Sequence, residues 1–241
     1  MLVTTEGIVL HFIKYRESSV ITTIYTRDFG RQSYLINAAR SKKSKNKASL
    51  LQSLFLVDLV AYQKQTRELH RVKEIKSNQP YQNIAFDIAK STQVIFLAEV
   101  LYHTINEQES FPELFDFMKN ALLYFDLMDE GSANFHLFFL FRLTEYLGFL
   151  PDTTKIGFEG WFDMKKGAVV PYQPSHPLAA NKEVTAYLIS LSSVKIHELE
   201  KFKISRTMRD SLLTVLLDYY QLHFENLGEI KSMSVLREVF R

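Results

Sequence analysis

The sequence predicts an α+β protein of more than one domain: a small five-stranded β-barrel over residues 1–79, then an all-α region over residues 80–241 interrupted by an irregular segment at 151–180. Three observations carry this reading. Apolar and β-branched residues come in short runs punctuated by turn residues as far as Ser77, then switch to spacings of three, four and seven. The charge divides at the same place, with 14 basic and six acidic side chains in residues 1–80 against 15 basic and 21 acidic in residues 81–241. Much of the phenylalanine, 19 residues in all against a single Trp, falls in the second half, as a tightly filled helical core requires.

The strands follow in order. Gly7 to Ile13 and Ser19 to Thr26 are rich in β-branched and aromatic residues, and Asp28-Phe29-Gly30 is a turn signal leading into a third run, Arg31 to Ala38. A solvated stretch, Ala39 to Lys47, separates these from a fourth strand at Leu54–Tyr62 and a fifth at Leu69–Ile75. Simple alternation on the fifth puts Leu69, Arg71, Lys73 and Ile75 on one face and His70, Val72 and Glu74 on the other. Five short strands in fewer than 80 residues suit a closed barrel; the OB fold is the commonest such barrel with a nucleic-acid role, and an SH3-like barrel fits the same pattern.

Beyond Pro80, the residues Ile84, Ile88, Ile95, Ala98, Tyr102 and Ile105 define one helical face. Ser110-Phe111-Pro112-Glu113 reads as a capping box opening a helix with Leu114, Phe117, Met118, Ala121, Leu122 and Phe125 in register. The next helix runs from Gly131-Ser132 to Leu147 and stops at Gly148; apolar nearly all round, it belongs at the centre of a bundle. Pro151 to Leu178 is irregular, with a short hairpin at Gly160–Val170. Helices resume at Asn181–Leu191, at Ser205–Asn226 with a stripe from Met208 to Leu222, and at Ser234–Phe240.

Several function classes find no support in this pattern. There is no cysteine, so neither a disulfide nor a thiolate metal site can form. The seven histidines never stand three or four residues apart, and the start of a zincin motif at His197-Glu198 meets Lys201 where its second His must be. No Gly-rich phosphate loop or nucleophile elbow is present, and Ser44 to Lys47 matches Ser-x-x-Lys only formally, in a solvated stretch. The expectation is a non-enzymatic protein without metal or cofactor. The opening residues lack a charged segment followed by an apolar run and cleavage site, and no stretch reaches a membrane span, so a cytoplasmic location is expected.

A strongly basic first segment joined to an acidic remainder points to a polyanion partner. Arg40, Lys42, Lys43, Lys45 and Lys47 place five positive charges in eight residues among serines and Asn46, a composition able to follow a phosphate backbone, though an ordinary solvated loop has the same composition. Tyr34 and Tyr15, the latter flanked by Lys14 and Arg16, are either barrel filling or rings on which bases stack. Arg142, alone in the apolar helix, either snorkels or pairs locally, or anchors an acidic ligand.

The first 60 residues carry a resemblance. Gly7-Ile8-Val9-Leu10, Tyr15-Arg16-Glu17-Ser18-Ser19, Tyr25 to Gly30 and Ala38-Ala39-Arg40-Ser41-Lys42-Lys43-Ser44 together resemble the opening of the RecO family, and Gly228 to Ser232 with Val235-Leu236 resembles its closing segment. The resemblance implies an OB barrel and a recombination mediator that binds single- and double-stranded DNA and anneals complementary strands. It also implies engagement of the acidic tail of the single-strand binding protein, and work with RecR to load RecA. Arg40, Lys42, Lys43 and Lys45 would be DNA contacts, with Arg27 and Arg31 next. Many members carry a four-cysteine zinc site after a Leu-Gly-Phe helix end; here Leu147-Gly148-Phe149 is present without the cysteines, and Phe158, Trp161, Phe162 and Tyr172 would replace the metal by packing. An RNA-binding or ribosome-associated barrel is the alternative, since OB folds serve RNA equally well.

Overall fold

The computed structural model describes residues 1–37, 49–63, 67–106, 108–154 and 159–240. Five strands, β1 (Leu2–Tyr15), β2 (Ser19–Thr26), β3 (Gly30–Ile36), β4 (Leu56–Tyr62) and β5 (Leu69–Ser77), close in the order β1-β2-β3-β5-β4. Only β3 and β5 run parallel. This is the OB arrangement rather than the SH3-like one. The first strand is twice as long as expected because it serves two neighbours. Leu2–Ile8 pairs with β4 and Gly7–Tyr15 with β2, the register shifting between Val9 and His11. Gly7 stands at the crossover, where a Cβ would come within 2.5 Å of Ile24 Cγ2, so no larger residue fits without displacing the barrel core. That core is built by inward residues such as Val9, Ile24, Val57, Leu59 and Ile75.

Two helices complete this compact unit, which extends to Asp126: α1 (Ile88–Thr104) and α2 (Pro112–Leu127). The unit therefore continues well past residue 79, where the strand pattern ends. Asp87 caps α1, its carboxylate accepting from the Lys90 amide at 3.0 Å. The buried face of α1 is the expected one only in part: Ile84, Ala98 and Ile105 are buried. Ile88 and Ile95 are 72% and 52% exposed, while Phe96, Val100, Leu97 and Leu101 are buried. These i, i+4 pairs turn the apolar face away from Ile88 and Ile95. The α2 start also differs: the helix begins at Pro112, a favoured first position, and the Ser110 hydroxyl donates to the Arg27 carbonyl at 2.9 Å.

Asp126 ties the connection between barrel and helices. Its carboxylate accepts from the amides of Gln82, Asn83 and Ile84 at 2.7, 2.8 and 2.8 Å, and its carbonyl accepts from the buried Lys90 ammonium at 2.9 Å.

The second unit, from Leu127 onward, is helical around α3 (Phe135–Tyr146), in which every residue from Phe135 to Thr144 except Arg142 is buried. The all-round apolar helix is central, as expected. It packs with α4 (Lys182–Ser193) and α5 (Arg206–His223), and α6 (Ser232–Val239) closes the chain. The α5 stripe is buried from Met208 to Tyr219, but Leu222 is exposed. The expected hairpin is present as β6 (Trp161–Asp163) and β7 (Ala168–Val170), joined by β8 (Ala179–Ala180) into a small sheet.

In this segment the residues present do not fit a zinc site. The chain has no cysteine, and among the described residues no three His, Asp or Glu side chains gather as metal ligands. Buried Asp163 organises the turn instead, accepting from the Lys165 and Lys166 amides at 3.1 and 3.2 Å and facing His176 at 3.3 Å. Phe162 packs against Tyr219 with ring centroids 5.1 Å apart. Tyr172 is exposed and holds Lys166, and Phe158 lies outside the described residues. Among the described residues no helix is long and apolar enough to cross a membrane.

Candidate nucleic-acid interface

The strand β5 contains an extra residue. Glu74 pairs with Val60 and Val72 with Ala61, so Lys73 has no partner of its own and forms a bulge. One inserted residue reverses the alternation. Ile75 points into the core on one side of the bulge and His70 on the other, while Leu69 and Arg71 turn outward. On β4 the inward residues are Val57, Leu59 and Ala61, which leaves Tyr62 facing out, directly across from Arg71.

A groove of about 650 Å³ opens where β3 and β4 end and β5 begins, lined by Tyr62, Arg67, Leu69, Arg71, Val72 and Lys73 with Asn37. Among the described residues its lining holds three cations and no carboxylate. Tyr62 is 50% exposed, and the Arg71 Nη2 and Nε lie 2.7 and 2.9 Å from the Asn37 side-chain oxygen once that amide is oriented to accept from them. Exposed aromatic surface beside backbone-neutralising charge is what a single-strand binder uses. Tyr62 was legible in the sequence from the parity of β4; Arg71 and Lys73 were not, because simple alternation put them on the face of Ile75.

The residues singled out in the sequence meet different fates. Arg40, Lys42, Lys43, Lys45 and Lys47 lie outside the described residues; their segment follows Asn37, a groove residue, along the chain. Lys14 and Arg16 are exposed at the end of the β1–β2 hairpin, and the Arg16 guanidinium sits 5.2 Å from the Tyr15 ring centre. Arg27 forms an ion pair with Asp116 at 2.9 Å, which raises the Arg27 pKa and lowers that of Asp116 through the shared hydrogen bond. Arg31 closes the end of α1, donating from Nη1 to the Tyr102 and Ile105 carbonyls at 2.6 Å each. Both arginines thus hold helices onto the barrel. Tyr34 has no exposed surface and packs inside the barrel beside His70, ring centres 5.8 Å apart, so its ring is core rather than a stacking platform. Arg142 donates from Nη2 to the Ser192 and Val194 carbonyls at 3.0 Å each, closing the end of α4.

The second unit holds a basic pocket that local sequence does not reveal. About 360 Å³ in volume, it has an apolar floor of Leu213, Leu236 and Phe240 and carries Arg206, Arg209 and Arg237 around it. Burial, then the neighbouring Arg206, lower the Arg209 pKa, and Asp210 supplies one counter-charge, to Arg237. His136 lies beneath, fully buried, and desolvation with a smaller effect of Arg209 pushes its imidazole down to about 3. It stays neutral in the fold, whereas the unfolded chain takes up a proton below about 6.5. Stability is therefore complete above that pH and falls as the pH drops toward 3, by about 2 kcal/mol at pH 5. Urea midpoints between neutral pH and pH 5 are expected to show this slope in the wild type and to flatten in His136→Gln.

Comparison with known proteins agrees with this architecture. The family model Recombination protein O N terminal matches residues 1–81, and Recombination protein O C terminal matches residues 85–233. The DNA repair protein RecO of Phocaeicola vulgatus is 35% identical over 240 residues, that of Flavobacterium psychrophilum 36% over 241, and that of Porphyromonas gingivalis 33% over 244, each covering 100% of both chains. With an OB barrel first, a helical unit after it and both family models accounting for most of its length, the chain belongs to the RecO family of DNA repair proteins.

Proposed function

We propose that the chain binds DNA without catalysing a reaction on it. Single strands run through the groove of Tyr62, Arg67, Arg71 and Lys73 and onto the segment carrying Arg40, Lys42, Lys43, Lys45 and Lys47. Duplex DNA is held by the same charges, and the exposed Lys14 and Arg16 extend them. Two complementary strands neutralised on one surface repel each other less, which favours annealing. The observation that carries this reading is the groove itself, on an OB barrel, with three cations, a half-exposed tyrosine and no carboxylate among its described residues. In the second unit, the pocket of Arg206, Arg209 and Arg237 takes the acidic tail of the single-strand binding protein, its apolar floor receiving a side chain of the tail. Binding both DNA and that tail, the protein clears single strands for RecA, with RecR as its partner.

A double dissociation tests this. The combined Tyr62→Ala, Arg71→Ala and Lys73→Ala variant is expected to bind labelled single-stranded DNA at least about tenfold more weakly, since one stacked base alone contributes roughly 1–3 kcal/mol, and to anneal slowly. It should still bind a labelled acidic peptide with an apolar C-terminal residue. The combined Arg206→Glu and Arg209→Glu variant should show the reverse. Equal affinity for RNA, together with no strand annealing by the wild type, would move the protein to the RNA-binding alternative.

A further inference from the structure

A second pocket in the helical unit carries three carboxylates, Asp218, Glu229 and Glu238, beside the cations Lys231 and Arg237. Of about 430 Å³, it opens between α5 and the closing segment Leu227–Glu238. Leu217, Leu227 and Ile230 are buried in its wall and Met233 is half-buried there. Asp218 projects from α5 into this apolar setting, half-buried, and among the described residues its carboxylate has neither a hydrogen bond nor an ion pair. Exposed Glu229 adds a second carboxylate. The cations that share the lining are placed otherwise: Arg237 is turned to Asp210 and to Thr214, and Lys231 is exposed.

An unpartnered carboxylate withdrawn from water destabilises the free protein. Burial accordingly raises the Asp218 pKa. The apolar residues of the wall, Leu217, Ile230 and Met233, offer this carboxylate no hydrogen-bond donor. The pocket lacks a long aliphatic group ending in a positive charge. A lysine or arginine side chain is such a group, its stem lying along apolar surface while its head reaches a carboxylate.

We propose that this pocket is a docking site for a basic residue of a partner protein, its aliphatic stem lying on Leu217, Ile230 and Met233 and its charged head meeting Asp218 and Glu229. The site adjoins the arginine pocket, with Arg237 lining both, and takes the opposite charge, so one helical unit engages an acidic and a basic partner.

The test is a selection of short random peptides, displayed on phage, against the full chain. Recovered peptides are expected to be enriched in Lys or Arg next to apolar residues. By fluorescence anisotropy they should bind the Asp218→Asn variant at least about tenfold more weakly than wild type, and bind the Arg206→Glu variant unchanged. Because Asp218→Asn removes a desolvated charge, its melting temperature should equal or exceed that of wild type. A lower one would mark Asp218 as a structural group. Peptides with no basic preference, or equal binding to wild type and the Asp218→Asn variant, would overturn the proposal. So would displacement of the peptide by micromolar spermidine, which would make this a polyamine site instead.

Discussion

Changing Arg40, Lys42, Lys43, Lys45 and Lys47 together to alanine is expected to weaken single-stranded DNA binding by about 10³-fold at 0.15 M salt and to flatten the log–log salt dependence by about 3.5. The slope for single strands is roughly 0.7 per phosphate neutralised. Five contacts therefore contribute about 3.5 to it, and near physiological salt that difference amounts to about three powers of ten. Direction and slope separate this effect from misfolding: an unfolded variant loses binding at every salt concentration, whereas lost phosphate contacts cost most at low salt and least at high. The charges of the barrel groove, Arg67, Arg71 and Lys73, remain in this variant. Residual binding with a shallower slope is thus the expected result. Unchanged affinity and slope would leave the five charges as solvated surface and confine the DNA site to the groove.

Asp126→Ala is expected to destabilise the first unit by about 3 kcal/mol, the largest stability effect of any single change considered. Charge-assisted hydrogen bonds contribute about 1.5–3 kcal/mol each, and donors left unpaired away from water cost a further amount. Three backbone donors lose their acceptor here. Ile84 is buried, so its amide has no easy replacement, while Gln82 and Asn83 are exposed and water takes over part of their share. At this chain length the change corresponds to a fall in melting temperature of roughly 10 °C, readable by circular dichroism. Asp126→Asn keeps one acceptor oxygen and should fall between. A loss under about 0.5 kcal/mol, the scale of an ordinary surface substitution, would show that the carboxylate does not hold the connection.

Local pattern was enough for much of this molecule. The strand β2 and the start of the hairpin at Gly160 follow from β-branched content and turn residues, the central helix from its unbroken apolar circumference, and the basic character of the first segment from counting charges. These features arise within a few residues of one another, where the periods of two and 3.6 operate. The barrel was legible as a barrel; its identity as an OB barrel waited on the parallel pairing of β3 with β5, residues more than thirty positions apart.

Tertiary structure decided which charged and aromatic residues are available. Arg27 and Arg31 read in the sequence as cations beside a turn, yet their partners, Asp116 and the carbonyls at the end of α1, lie far along the chain. Tyr34 is buried because barrel closure turns its face inward. The single inserted residue at Lys73 turns Arg71 outward beside Tyr62, and alternation read from sequence cannot place such an insertion before the partner strand is known. Arg206, Arg209 and Arg237 share a pocket only because α6 folds back on α5. The sequence by itself determined the elements and the sign of the charge; which side chains face outward and which are spent on internal partners was decided by closure and docking, since a side chain's direction depends on pairings that local periodicity does not contain.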